Sequence, residues 1–262
     1  MFGDLPVSNP ALYEPIDVPK AVAPEIWLVD GPVVRMAAPC GMSAPFTTRM
    51  TIVRLRGGGL WCHSPVAPND ALFAAVDALG PVRHLVSPNK LHYAHIAAWK
   101  RRYPQAAAWA SPGVRERAAA QGIEVKFDAD LEDAVPAAWS DRIEQLRFRG
   151  SRAFEEVVFF HRASATLILA DLVENFERMK LTRGMRVLAR LGGVLDPDGK
   201  TPLDMRMTFT DRSAARACLQ QILAWHPQRV ILSHGRWYEH EGETQLRRAF
   251  RWLDRSRPDG AQ

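Results

Sequence analysis

The chain has 262 residues, 47% hydrophobic and 24% charged, the balance of an ordinary globular protein long enough to bury one large core. No apolar run approaches the roughly 18 residues of a membrane span, and Cys40, Cys62 and Cys218 are too far apart for a disulfide framework or a thiolate zinc site. The net charge of +5 comes from arginines scattered over helical segments such as "LRRAFRWLDRSR", not from a compact basic tract interleaved with aromatics, so a nucleic-acid partner is not expected.

Residues 1–24 read as an irregular leader, acidic and dotted with proline, without the basic and apolar regions of a signal peptide; a cytoplasmic protein is expected. A single domain is expected over 25–255, followed by a disordered tail at 256–262. "EIWLVDG" and "TTRMTIVRLRGGGLWCHSP" read as strands, the second folded into a hairpin at Gly57, Gly58 and Gly59. "NDALFAAVDALG" reads as a helix capped by Asn69 and stopped at Gly80. The strand "PVRHLVSP" leads into a helix that Asn89 is placed to cap; "AAAWASP" and "PGVRERAAAQG" repeat the strand–helix pattern. Three strand-like runs follow, "RIEQLRFRG", "EEVVFFHR" and "ATLILAD", then a helix-rich insert at about 172–210. Helix "DRSAARACLQQILAWHP", strand "QRVILSHG" and helix "EGETQLRRAFRWLDR" close the chain. Runs of strands followed by strand–helix alternation, twice over, predict two packed sheets with helices outside: an α/β, four-layer αββα sandwich.

Three apolar strands end in groups capable of metal or acid–base chemistry: one at Ser87, Asn89 and His92, one at Asp171, one at His234. In helix-covered sheets such ends tend to form the ligand site. With Asn89 as cap, His92 falls in the first turn and His95 one turn on, where the helix dipole favours the neutral imidazole that a metal needs. The plain alternative is a polar first-turn histidine beside a half-buried one. Asp171 at a strand end is either a ligand or, with Glu174, half of a capping box in "DLVE". Gly235 allows the sharp bend that would aim His234 back over the strand ends. Glu156 reads as a strand-end charge, with a supporting role at the site as the alternative, and His63, His84, His161, His226 and His240 read as structural or surface residues.

This order of elements resembles the metallo-β-lactamase fold. "SPNKLHYAHIAAW", "EEVVFFHRASATLILADLVEN" and "VILSHG" resemble, more narrowly, domain of unknown function 4336, the likeness running over about residues 25–253. In the superfamily an H-x-H-x-D-H loop supplies ligands to two metals. Laid over this chain with His95 last, Lys90 stands where the first histidine would be and Ala94 where the aspartate would be; the separate middle histidine has no clear counterpart. Asp171 matches the bridging aspartate and His234 the final histidine.

The resemblance therefore implies at most four ligands, His92, His95, Asp171 and His234, too few for two ions but enough for one divalent metal, zinc being expected. Lys90 adds a positive charge opposing a second cation. The implied activity is mononuclear metal-dependent hydrolysis of an ester, thioester or phosphate, with Asn89, Lys90 and Glu156 as further pocket residues. The alternative is a degenerate member that has lost its metal site, holds no cofactor, and binds a small molecule or protein through charges such as Lys90, Lys180 and Arg183. A small-molecule ligand of unidentified structure is expected, without a membrane partner; the 172–210 insert is a candidate pocket wall or homodimer surface.

Overall fold

The β-branched runs of the first half form a seven-stranded sheet in the order β1 to β7. β1 (Lys20–Ala23), β2 (Ile26–Ala37), β3 (Ser43–Arg54) and β4 (Leu60–His63) are antiparallel neighbours. Gly57 and Gly58 turn β3 into β4 at φ of +85° and +82°, where a Cβ would be strained. The sheet continues in parallel through β5 (Val82–Ser87), β6 (Ala107–Ala110) and β7 (Ala129–Asp130). Parallel neighbours need a crossover, supplied by α1 (Asp70–Asp77), α2 (Ile96–Arg102) and α3 (Val114–Ala120). Asn69 caps α1 as expected, its side chain accepting from Leu72 N at 2.8 Å.

β8 (Ile143–Phe148), β9 (Glu156–His161), β10 (Thr166–Ile168) and β11 (Arg229–Ile231) form the second sheet, ordered β11-β10-β9-β8. Between β10 and the parallel β11 run α4 (Arg183–Gly192), α5 (Leu203–Arg206) and α6 (Arg212–Leu223), and α7 (Gly242–Ala249) follows β11. β9 explains the layering: Val157 and Phe159 point between the sheets with Trp61, Val86, Ile168 and Ile231, while Val158 and Phe160 point outward against α6 and α7. On the far side, Leu72, Ile96, Trp99 and Val114 cover the larger sheet. The result is the expected αββα sandwich.

This computed structural model describes residues 12–37 and 43–254. Cys40, residues 1–11 of the leader and the expected disordered tail lie outside them. Cys62 and Cys218 are free and buried, as expected. Three expectations are corrected. The leader is not irregular throughout, because β1 falls within it and Lys20 Nζ reaches Asp30 Oδ2 on β2 at 2.7 Å. The insert is helical only at α4, α5 and one tight turn at Arg178–Lys180. Its first residues are extended, held by bridges from Glu174 to Lys200, Asn175 to Gly235 and Phe176 to Leu195, so "DLVE" caps no helix. No helix among the described residues is long and apolar enough to cross a membrane.

Candidate metal centre

Where β5 ends, Asn89 Oδ1 accepts from Leu91 N at 2.8 Å, and its carbonyl accepts from His92 N at 3.3 Å. This turn carries His92. α2 starts only at Ile96, with His95 at the cap position, so the expected Asn89 cap is not made. The Asn89 amide instead donates to Asp171 Oδ2 at 2.8 Å and to Glu156 Oε2 at 3.0 Å.

Asp171 follows β10, and His234 follows β11, the parallel neighbour, so adjacent strand ends bring the two together. His234 Nε2 lies 2.9 Å from Asp171 Oδ1, and His92 Nε2 lies 3.1 Å from the same oxygen. One ligand atom from each of the three residues falls within 4.8 Å of the others. Ligand atoms around a tetrahedral ion at about 2.0–2.1 Å stand roughly 3.3 Å apart, so the set fits one small divalent cation. The outer atoms are tied as well: Ser64 Oγ meets His92 Nδ1 at 2.5 Å, and His234 Nδ1 donates to Thr47 O at 2.5 Å. That last bond leaves His234 Nε2 to face Asp171 or an ion, the arrangement that orients metal-binding imidazoles.

The electrostatics match a cation site. Burial would raise the Asp171 carboxyl, but the charges and hydrogen bonds of His92 and His234 outweigh it and hold the group well below the usual carboxylate range. Burial would lower His234; the hydrogen bond and charge of Asp171, then Glu174 and the Thr47 carbonyl, push it up to about 9. Without an ion, a proton on His234 balances Asp171.

Glu156 is completely buried and is not a free strand-end charge. Its oxygens accept from Ala170 N at 2.8 Å, Asp171 N at 2.7 Å and the Asn89 amide. Burial, then the Asp171 charge, raises it to about 7. It fixes the backbone that presents Asp171. His95 does not join the three-residue cluster but lines the same cavity of about 70 Å³, with Ser64, Leu91, Ala94, His92 and His234. Burial lowers its pKa, so it is neutral at pH 7. Lys90 is half-buried, next to Gly113 and outside that lining. His63 packs as a structural residue, stacked on Trp61 and edge-on to Phe159, and burial and then His92 push it down to about 3.

Two positioning features were not read from the sequence. Arg49, 2% exposed, binds Asp30 through Nε and Nη2 and donates from Nη1 to Leu232 O at 2.6 Å and Gly235 O at 2.9 Å. It thus grips the His234 loop on both sides, while Thr47, two residues earlier on the same strand face, takes the imidazole. Gly235, at φ +82°, is required as expected: a Cβ there would sit 2.2 Å from Asn175 O. Arg49→Met should lower divalent-metal affinity about 10–100-fold, the usual cost of losing an outer partner of a ligand. It should also destabilise by about 3 kcal/mol, since among the described residues the Asp30 carboxylate then keeps only Lys20 as a charged partner. Calorimetric titration and denaturant unfolding measure the two effects.

Two facing sheets between helix layers, with histidine and aspartate gathered at strand ends, define the metallo-β-lactamase fold, and solved structures agree. A metallo-β-lactamase from Pontibacter korlensis matches at TM-score 0.59 and 14% identity, over 91% of this chain and 99% of its own. One from Erythrobacter litoralis matches at 0.60 and 13%, over 90% and 95%. The mono-zinc form of FIM-1 from Pseudomonas aeruginosa matches at 0.59 and 11%, over 90% and 94%. The chain belongs to the family described as Domain of unknown function (DUF4336), whose model matches residues 41–180, taking in His92, His95 and Asp171 and stopping short of His234. No curated protein matches the sequence.

Proposed function

We propose that the protein is a hydrolase that holds one divalent ion, zinc, on His92, Asp171 and His234 and cleaves a small ester, thioester or phosphate. The convergence of the three ligand atoms within 4.8 Å, each ligand oriented from behind, carries this reading. When bound, the ion supplies Lewis-acid polarisation and activation of water. Asn89 and Glu156 hold the Asp171 carboxylate in place; Ser64 and Thr47 hold the two imidazoles. Ala94 leaves the cavity without the carboxylate of the superfamily pattern, and Glu156 is sealed behind Asp171. The neutral His95 imidazole is the group on the cavity wall available to accept a proton. A cavity of about 70 Å³ admits only the reacting end of a substrate. The likeness to a fold that includes a mono-zinc lactamase is consistent with a single ion.

The missing carboxylate at Ala94 favours a second reading, a member of the fold that binds ligand without turnover. Metal-stripped protein titrated with zinc separates the cases. One equivalent bound, with chelator-sensitive ester or phosphodiester hydrolysis that His95→Ala lowers, supports the hydrolase. One equivalent without turnover supports the binding protein. No heat of binding and no retained metal defeats the metal site itself.

A further inference from the structure

We propose that α4 and the turn before it are a docking face for an anionic phospholipid surface. Between residues 178 and 195 the chain carries Arg178, Lys180, Arg183, Arg186 and Arg190 and no aspartate or glutamate. At about 100° per residue, α4 divides into three arcs. Met185 and Ala189 turn inward, Arg183 and Arg190 share a cationic arc, and Val187, Leu188 and Leu191 form an apolar arc left in solvent. Of the seven large hydrophobics exposed among the described residues, six lie between 179 and 207, including Met179 at 84%, Leu191 at 68% and Met207 at 73% exposure. Exposed apolar side chains concentrated in one segment mark an interaction surface.

The cations choose the occupant. Arg178, Arg183 and Arg190 are exposed and have no ion pair among the described residues. Pairing this face with the same face of a second copy across a two-fold axis would set these charges against themselves. Lipid phosphates would neutralise them while the interface takes the apolar arc, the usual design of an amphipathic helix lying in a membrane surface. This peripheral contact departs from the expectation of no membrane partner, which considered a span alone; no helix among the described residues is long and apolar enough to cross a membrane. The face also borders the candidate site. Met185, Leu188 and Ala189 form one wall of a cavity of about 160 Å³ whose other wall includes Phe46, and Phe46 packs edge-on to His234 at 5.6 Å. The docking face stands whether or not His92, Asp171 and His234 bind metal.

Flotation of the full chain with vesicles tests it, using phosphatidylcholine alone or with about one quarter phosphatidylglycerol. Binding is expected only to the anionic vesicles and should fall as salt rises. Arg183→Gln and Arg190→Gln should each weaken it about five-fold, and Leu191→Ser should weaken it at all salt concentrations. All three positions are exposed, so the variants should melt with the parent protein. Absent binding, equal binding to neutral vesicles, or binding that ignores these substitutions overturns the proposal. So does a drop in solution mass by light scattering on Leu191→Asp without vesicle binding by the parent, which would make the face a contact between copies.

Discussion

Asp171→Ala should abolish stoichiometric binding of a divalent ion. The Oδ1 atom of Asp171 is the common neighbour of His92 Nε2 and His234 Nε2, at 3.1 Å and 2.9 Å, so its loss removes one ligand of three and the only negative charge among them. Two imidazoles alone do not make a closed zinc site. The affinity loss should exceed the roughly 10–100-fold that follows removal of an outer hydrogen-bond partner. Asp171→Asn separates charge from shape: it keeps the volume and an oxygen, and still should bind at least about 100-fold more weakly, because a neutral amide is a poor partner for a divalent cation. Zinc titration by calorimetry, with melting curves to verify folding, measures both. Retention of one equivalent at near-parent affinity by Asp171→Ala would remove the proposed centre.

The parts of the fold written in local pattern were legible in the sequence. The hairpin at Gly57–Gly59, the Asn69 cap, the buried β9 run and the strand ends at Asp171 and His234 all depend on neighbours a few residues away. Two local signals misled, for one physical reason. Asn89 ahead of a helical run and Asp171 ahead of L-V-E both look like caps, but each side chain has stronger partners distant in sequence. Asn89 binds Glu156 and Asp171, 67 and 82 residues on, and Asp171 binds His92, 79 residues back. A buried carboxylate facing imidazoles and an amide gains more than one capping an exposed helix end. Arg49 left a fainter trace. A guanidinium in the β-branched run "TTRMTIVRL" must find partners if the strand is buried, and besides Asp30 on the paired strand these are carbonyls 183 and 186 residues away. His95 shows the converse: its spacing from His92 invites a ligand role, but the loop before α2 is not helical and turns it to the cavity wall.

Proton competition gives the second large effect: zinc affinity should climb with pH by about ten-fold per unit between about 6.5 and 9 and flatten above. In the metal-free protein His234 donates from Nδ1 to Thr47 O and faces Asp171 with Nε2, so it carries two protons until its raised pKa of about 9 is passed. An ion must displace the Nε2 proton. The sign for stability is opposite. His234 holds its proton more tightly folded than at its unfolded value of about 6.5. Its contribution is therefore complete below about pH 6.5 and lost as pH rises through about 9. Asp171 is depressed, so its contribution is present above the unfolded value of about 3.9 and is lost only as pH falls below it. The metal-free triad thus stabilises most between about pH 4 and 6.5; buried Glu156, raised to about 7, and buried Glu174, raised to about 8, add their own losses above about pH 4.3, so the melting temperature of stripped protein should decline up to pH 9. Zinc-loaded protein should lose the His234 part of that decline, because the ion replaces the proton as the counter-charge of Asp171. Calorimetry in two buffers of different ionisation heat counts the released proton directly. A pH-independent affinity with no proton released would mean that His234 does not give up Nε2 to the ion, and would take His234 out of the ligand set.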